Sequence, residues 1–266
     1  MFKKSTIFRV VLSVFLLISL CSSTVSATTI YSSDQVPHEE GFIIIGESHA
    51  LLACAEFNRL LNTEKEQIIN DLSFHLDVDS SISKNQDNEP NTYYMSGNLF
   101  FVFEGSSDSD FATQIQREYI YSDGKGHRGI AVTKIHEIID KNPQIEHWNI
   151  ISWHGATSIR KGDINAPYYI NSYRNWIDYE FPDANVYFIS HSTMTKAYRS
   201  CKKQADTFNA ELKKAFPDNF LDYTDFFTAR FPQELLDPEQ KGDLIHWNQK
   251  TYIELFQSVM QYCLEH

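Results

Sequence analysis

The sequence predicts an α/β fold, a three-layer α/β/α sandwich built on a doubly wound, mainly parallel five-stranded sheet. Three observations carry this. Short apolar runs at residues 42–45, 99–103, 148–153 and 185–190 alternate with amphipathic stretches of helical length. The first run, Phe42-Ile43-Ile44-Ile45, does not alternate with polar residues, so both faces of its strand are expected to be covered, as in a parallel sheet packed between helices. The runs also break on small or reactive residues, at Gly46-Glu47-Ser48, Gly105-Ser106-Ser107, His154-Gly155 and His191-Ser192. Open α/β sheets gather ligands at the carboxyl ends of their strands.

Taken in order, residues 1–27 read as a signal peptide. Lys3, Lys4 and Arg9 precede an apolar run over 10–20, and Val25-Ser26-Ala27 has the small-residue pattern of a cleavage site. That run is shorter than the roughly 20 residues a membrane span needs, so export is expected, with no stable membrane insertion after cleavage. Residues 28–40 read as a linker and 41–266 as one domain, because the remaining chain buries one substantial core and shows no repeat. Strand one, at 41–46, leads into a helix marked by Leu51, Leu52, Ala55, Phe57 and Leu60. A polar interval from Asp77 to Thr92 reads as an exposed insertion, placed at about 77–97. Strand two is 98–104. A helix follows over 130–139 on Val132, Ile135, Ile138 and Ile139, then strand three at 148–153, a helix over 169–179 and strand four at 185–190. A helix carrying Phe208, Leu212, Ala215 and Phe216, a short fifth strand at 220–223, and a final helix capped by Asn248 complete the pattern.

Charge narrows the function. Without residues 1–27 the chain has 20 Lys+Arg against 35 Asp+Glu, a net charge of −15, which does not suit a polyanion, so no nucleic-acid partner is expected. Cys54, Cys201 and Cys263 have no metal-type spacing and allow at most one internal disulfide; Cys54 reads as a small core residue.

Ser48 falls between a strand's carboxyl end and a helix's amino end. There it is either an N-cap or a nucleophile whose oxyanion the helix terminus would favour. Near the other end of the chain, Asp243 and His246 lie three apart just before a helix. They are either solvated loop residues or a base and its orienting acid. A rival reading has His49, His154, His191 and His246 converging with Asp243 on a metal, although no local ligand motif supports it, and no metal or organic cofactor is expected. Trp153, Trp247, Tyr168 and Tyr169 sit near loop ends, as core residues or as a platform for a sugar ring.

With these residues in view, the chain resembles the SGNH (GDSL-type) hydrolases, whose flavodoxin-like sandwich matches the predicted layers. Gly46-Glu47-Ser48 resembles the family's first block, Gly-Asp-Ser, which contains the nucleophile, and Asp243-Leu244-Ile245-His246 resembles its last, Asp-x-x-His. Gly105 matches the glycine of the second block, an oxyanion donor, and Gly155-Ala156-Thr157-Ser158 stands where the third reads Gly-x-Asn-Asp. The resemblance implies a secreted serine esterase with Ser48, His246 and Asp243 as its triad, acting on a carbohydrate or other small ester. Gly105, Thr157, Gly155 and His154 become the candidate oxyanion and substrate-binding residues. Two positions depart from the pattern. Glu47 replaces Asp, and Thr157 replaces Asn, leaving a hydroxyl of shorter reach where loss of one oxyanion donor costs about 100- to 1,000-fold in turnover. A binding protein on the same fold is the alternative that this second departure keeps open.

Overall fold

The structure, a computed structural model, describes residues 39–63, 83–84, 91–96, 98–104, 117–191, 201–230, 246–247 and 249–266. The expected signal peptide, and the linker up to residue 38, lie outside them. Strand β1 (Glu40–Gly46) has Phe42, Ile43, Ile44 and Ile45 fully buried. Successive side chains point to opposite faces, so Phe42 and Ile44 enter one core cluster while Ile43 and Ile45 enter the other. At about 1.5–3 kcal/mol for each large apolar side chain fully buried, a one-residue slip of this strand would be costly on both faces.

The remaining elements are α1 (Ser48–Thr63), β2 (Ser83–Lys84), β3 (Asn91–Ser96), β4 (Leu99–Glu104), α2 (Ile130–Lys141), β5 (His147–Trp153), α3 (Ala156–Lys161), α4 (Ala166–Asn175) with a π-helical turn (Trp176–Glu180), β6 (Asn185–Ile189), α5 (Lys202–Ala215), β7 (Phe220–Leu221), α6 (Thr224–Arg230) and α7 (Gln249–Glu265). The sheet runs β2-β3-β4-β1-β5-β6-β7. Its five strands from β4 to β7 are parallel, as predicted. Among themselves they take the order second, first, third, fourth, fifth, which puts the topological switch between β1 and β5. Helices α1, α6 and α7 contribute to the cluster on one face, and α2, α3, α4 and α5 to the cluster on the other, giving three layers.

Two parts of the expected insertion at 77–97 are corrected by the structure, and the first, Ser83–Lys84, is strand β2, antiparallel to β3. Asn91–Ser96 is strand β3, antiparallel to β4 from Asn91↔Glu104 to Ser96↔Leu99. The polar stretch before it hides a β-prone Thr92-Tyr93-Tyr94-Met95 segment, and pairing it satisfies backbone groups that β4 would otherwise leave at a sheet edge. Residues 77–82 and 85–90 lie outside the described ones, as does the expected cap Asn248.

Helix α2 follows the predicted periodicity, burying Ala131, Val132, Ile135 and Ile138. Beside it is a polar cluster that the sequence did not suggest. Glu180 accepts from Ser122 Oγ (2.7 Å) and Arg128 Nε (2.6 Å), with His136 Nε2 at 3.1 Å, pinning the segment before α2 to the end of the π turn. Burial opposes the carboxylate, yet these partners hold its pKa below the ordinary glutamate value. Cys54, Cys201 and Cys263 are all buried, and no two of them form a disulfide. Burial pushes the Cys54 and Cys263 thiols up, away from the thiolate form that reacts. No helix among the described residues is long and apolar enough to cross a membrane.

Candidate active site

Gly46 ends β1 opposite Trp153, the last residue of β5. A Cβ on Gly46 would stand 2.7 Å from the Trp153 carbonyl oxygen, so only glycine lets the two strands approach this closely at the switch. Ser48 is the first residue of α1, one place beyond an N-cap, and Ala50 N (3.0 Å) and Leu51 N (3.2 Å) donate to the Glu47 carbonyl. The N–H of Ser48 precedes every carbonyl of its own helix and therefore has no intrahelical acceptor.

His246 reaches this turn from the far end of the chain. Its Nε2 lies 2.9 Å from Ser48 Oγ across 198 residues. Both side chains are half-buried. With the serine hydroxyl donating, Nε2 is the bare nitrogen and the ring hydrogen is on Nδ1. The neighbouring Trp247 is buried and stacks on Phe227 of α6 at a 5.2 Å centroid distance; its N–H donates to Tyr252 Oη at 3.3 Å. Tyr252 Oη in turn lies 2.8 Å from His49 Nδ1, and the His49 ring is stacked on Trp153 at 4.6 Å. Through Trp247, α6, α7 and the first turn of α1 together hold the segment that carries His246. Tyr252 is marked in the sequence only by the apolar pattern of the final helix, and nothing in the sequence marks Phe227. Asp243 and Gly105 lie outside the described residues.

The loop after β5 corrects the expected roles of its residues. Glu47 is buried, and its Oε1 accepts from Gly155 N at 2.9 Å while its Oε2 accepts from Thr157 N at 2.8 Å and Thr157 Oγ1 at 2.7 Å. The donors expected to face an oxyanion, Gly155 and the Thr157 hydroxyl, are thus directed to a carboxylate. The glutamate side chain is long enough to present one carboxylate oxygen to each of the two N–H groups. Burial pushes the Glu47 pKa up; the Thr157 hydroxyl, the two N–H groups and the charge of Arg160 pull it back, and the net displacement is upward.

His154 is corrected as well. Trp153 faces the cluster with His49, so the next ring along the strand faces the opposite one, packing edge-on to Tyr119 (5.8 Å) and Trp176 (6.4 Å) with Nδ1 on Ser152 Oγ (2.8 Å). It offers no side-chain donor to Ser48. The four histidines consequently separate: His49 and His246 meet at 5.3 Å on one side, whereas His191 donates from Nε2 to the His154 carbonyl at 2.6 Å. Among the described residues no group of three His, Cys, Asp or Glu is placed to hold a metal. Trp153, Trp247 and Tyr169 are buried in the core, which leaves them no face for a sugar.

Gly155 has φ of 117°, a left-handed conformation that side chains rarely adopt. An added Cβ would meet Ile164 and Phe208 at 3.2 Å and His191 Nε2 at 3.3 Å. Gly155→Ala is expected to lower stability by about 1–3 kcal/mol, read as a reduced urea midpoint at unchanged slope. A midpoint within error of wild type would show that the turn relaxes without strain.

No family model matches the sequence, and no curated protein does. Among solved structures, the chain is similar to a member of the lipolytic protein G-D-S-L family from Veillonella parvula DSM 2008, at 11% identity and a TM-score of 0.40, over 83% of this chain and 97% of that one. It is also similar to Axe2, an acetylxylan esterase from Geobacillus stearothermophilus, at 10% identity and a TM-score of 0.40, over 88% of this chain and 95% of that one.

Proposed function

We propose that the protein is a serine hydrolase acting on ester bonds, with Ser48 as nucleophile and His246 as general base. The single observation that supports this most is the 2.9 Å contact between Ser48 Oγ and His246 Nε2, at a helix amino terminus beside the switch point of a parallel sheet. In this reading Nε2 takes the serine proton as Oγ attacks the acyl carbon. It returns that proton to the departing alcohol, and an acyl-serine remains. Water then attacks the acyl carbon, losing a proton to Nε2, which passes it to Ser48 Oγ as the acyl–oxygen bond breaks and the acid leaves. Asp243 would hold the Nδ1–H side of the ring. The oxyanion would be met by the Ser48 N–H and by Gly105. A carbohydrate or other small ester, met outside the cell, is the substrate class we propose.

The engagement of the Thr157 hydroxyl by Glu47 favours a second reading, a binding protein without turnover, because it removes one candidate oxyanion donor. One experiment separates the two. After exposure to a fluorophosphonate, intact-mass analysis is expected to show a single adduct on wild type and none on Ser48→Ala or His246→Ala. Folded wild-type protein that stays unmodified would reject the hydrolase.

A further inference from the structure

We propose that Glu47 is a positioning residue that locks the loop 155–157 to the nucleophile turn, and that Thr157 acts through Glu47 instead of meeting an oxyanion itself. This rests on the hydrolase reading. A carboxylate taken out of water needs donors on both oxygens, and here the loop after β5 supplies all three hydrogen bonds at 2.7–2.9 Å. The same residue's carbonyl accepts from Ala50 N and Leu51 N, closing the first turn of α1. Glu47 therefore joins two strand ends, main chain to α1 and side chain to the loop ahead of α3, with Ser48 the next residue along. The left-handed Gly155 lets that loop turn its N–H groups inward toward the carboxylate. A displacement of about 1 Å at a reacting group costs about 100-fold in rate, so the lock matters for where Oγ stands.

The exchange of Glu47 and Thr157 makes a matched pair. The longer acid spans to both N–H groups, and the short hydroxyl adds a third donor on the same oxygen. Glu47→Gln puts an NH2 against an N–H donor and breaks one side of the lock. We expect kcat for p-nitrophenyl acetate to fall by about 100-fold with KM changed less than about threefold. Thr157→Val removes only the hydroxyl and is expected to cost about tenfold, whereas Thr157→Ser, which keeps the donor, stays within about twofold of wild type. The double variant Glu47→Gln/Thr157→Val is expected to be no slower than Glu47→Gln alone, because the hydroxyl has lost its partner. In the same proteins, amide exchange at Gly155 and Thr157 is expected to quicken in Glu47→Gln.

Equal factors for Thr157→Val in both backgrounds would identify Thr157 as a direct oxyanion donor and overturn the proposal. Unchanged exchange at both amides in Glu47→Gln would overturn it as well. Full turnover in a Ser48→Ala control would reject Ser48 as the nucleophile instead, and the exchange measurement would still decide the lock.

Discussion

Ser48→Ala and His246→Ala are each expected to lower ester turnover by about 10⁴-fold or more, and the double variant to be no worse than the poorer single one. In the proposed mechanism the two residues operate as one unit through their 2.9 Å contact, so removing either is expected to forfeit nearly all that the pair supplies. What survives reflects binding and whatever donors meet the oxyanion. Initial rates on p-nitrophenyl acetate, at equal protein concentration and with unfolding midpoints checked, make the comparison. Losses that multiply in the double variant would mean the two residues contribute independently, and the shared-proton mechanism would be wrong.

Acid is expected to destabilise the fold well above the pH at which carboxylates titrate. His154 and His191 are both buried. Burial pushes the His154 pKa down to about 3, helped by the neighbouring His191, and burial pushes the His191 pKa down to about 4 despite its hydrogen bond to the His154 carbonyl. The sign follows from which state binds the proton. Below the unfolded value of about 6.5 the unfolded chain gains protons that the native imidazoles refuse, so stability is full above that pH and falls as pH drops toward the folded values. Between pH 7 and pH 5 each ring accounts for about 2 kcal/mol of lost stability. Glu47 works the other way, since its raised pKa lets the native state take up a proton before the unfolded chain does. Glu180, held low, adds its own loss only nearer the ordinary carboxylate range. Urea unfolding at the two pH values, on wild type and His154→Phe, isolates the imidazole contribution. The variant is expected to lose about 2 kcal/mol less than wild type across that interval; an identical loss would show that His154 is reached by water and titrates normally.

The layers of the fold were legible in the residues themselves. Four consecutive buried residues at 42–45 cannot belong to a one-faced sheet, and strands alternating with amphipathic helices leave few arrangements besides a parallel sheet between two helical layers. Ser48 and His246 each stood beside an element boundary that local pattern reveals, and the fold brings them within 2.9 Å. Which groups meet depends on how the strands lie side by side. Local periodicity says which face a side chain takes relative to its neighbours, but not what waits on that face. Hence the ring of His154, one residue from Trp153, was free to be read as a donor until the sheet sent it to the other core. Strand β3 could not be read through its polar flank, because edge pairing is decided by the backbone of β4 and not by composition. The same holds for Glu47: its acid was visible at once, but its grip on Gly155 and Thr157 spans more than 100 residues and exists only because β1 and β5 lie side by side, close enough at Gly46 to exclude a methyl group.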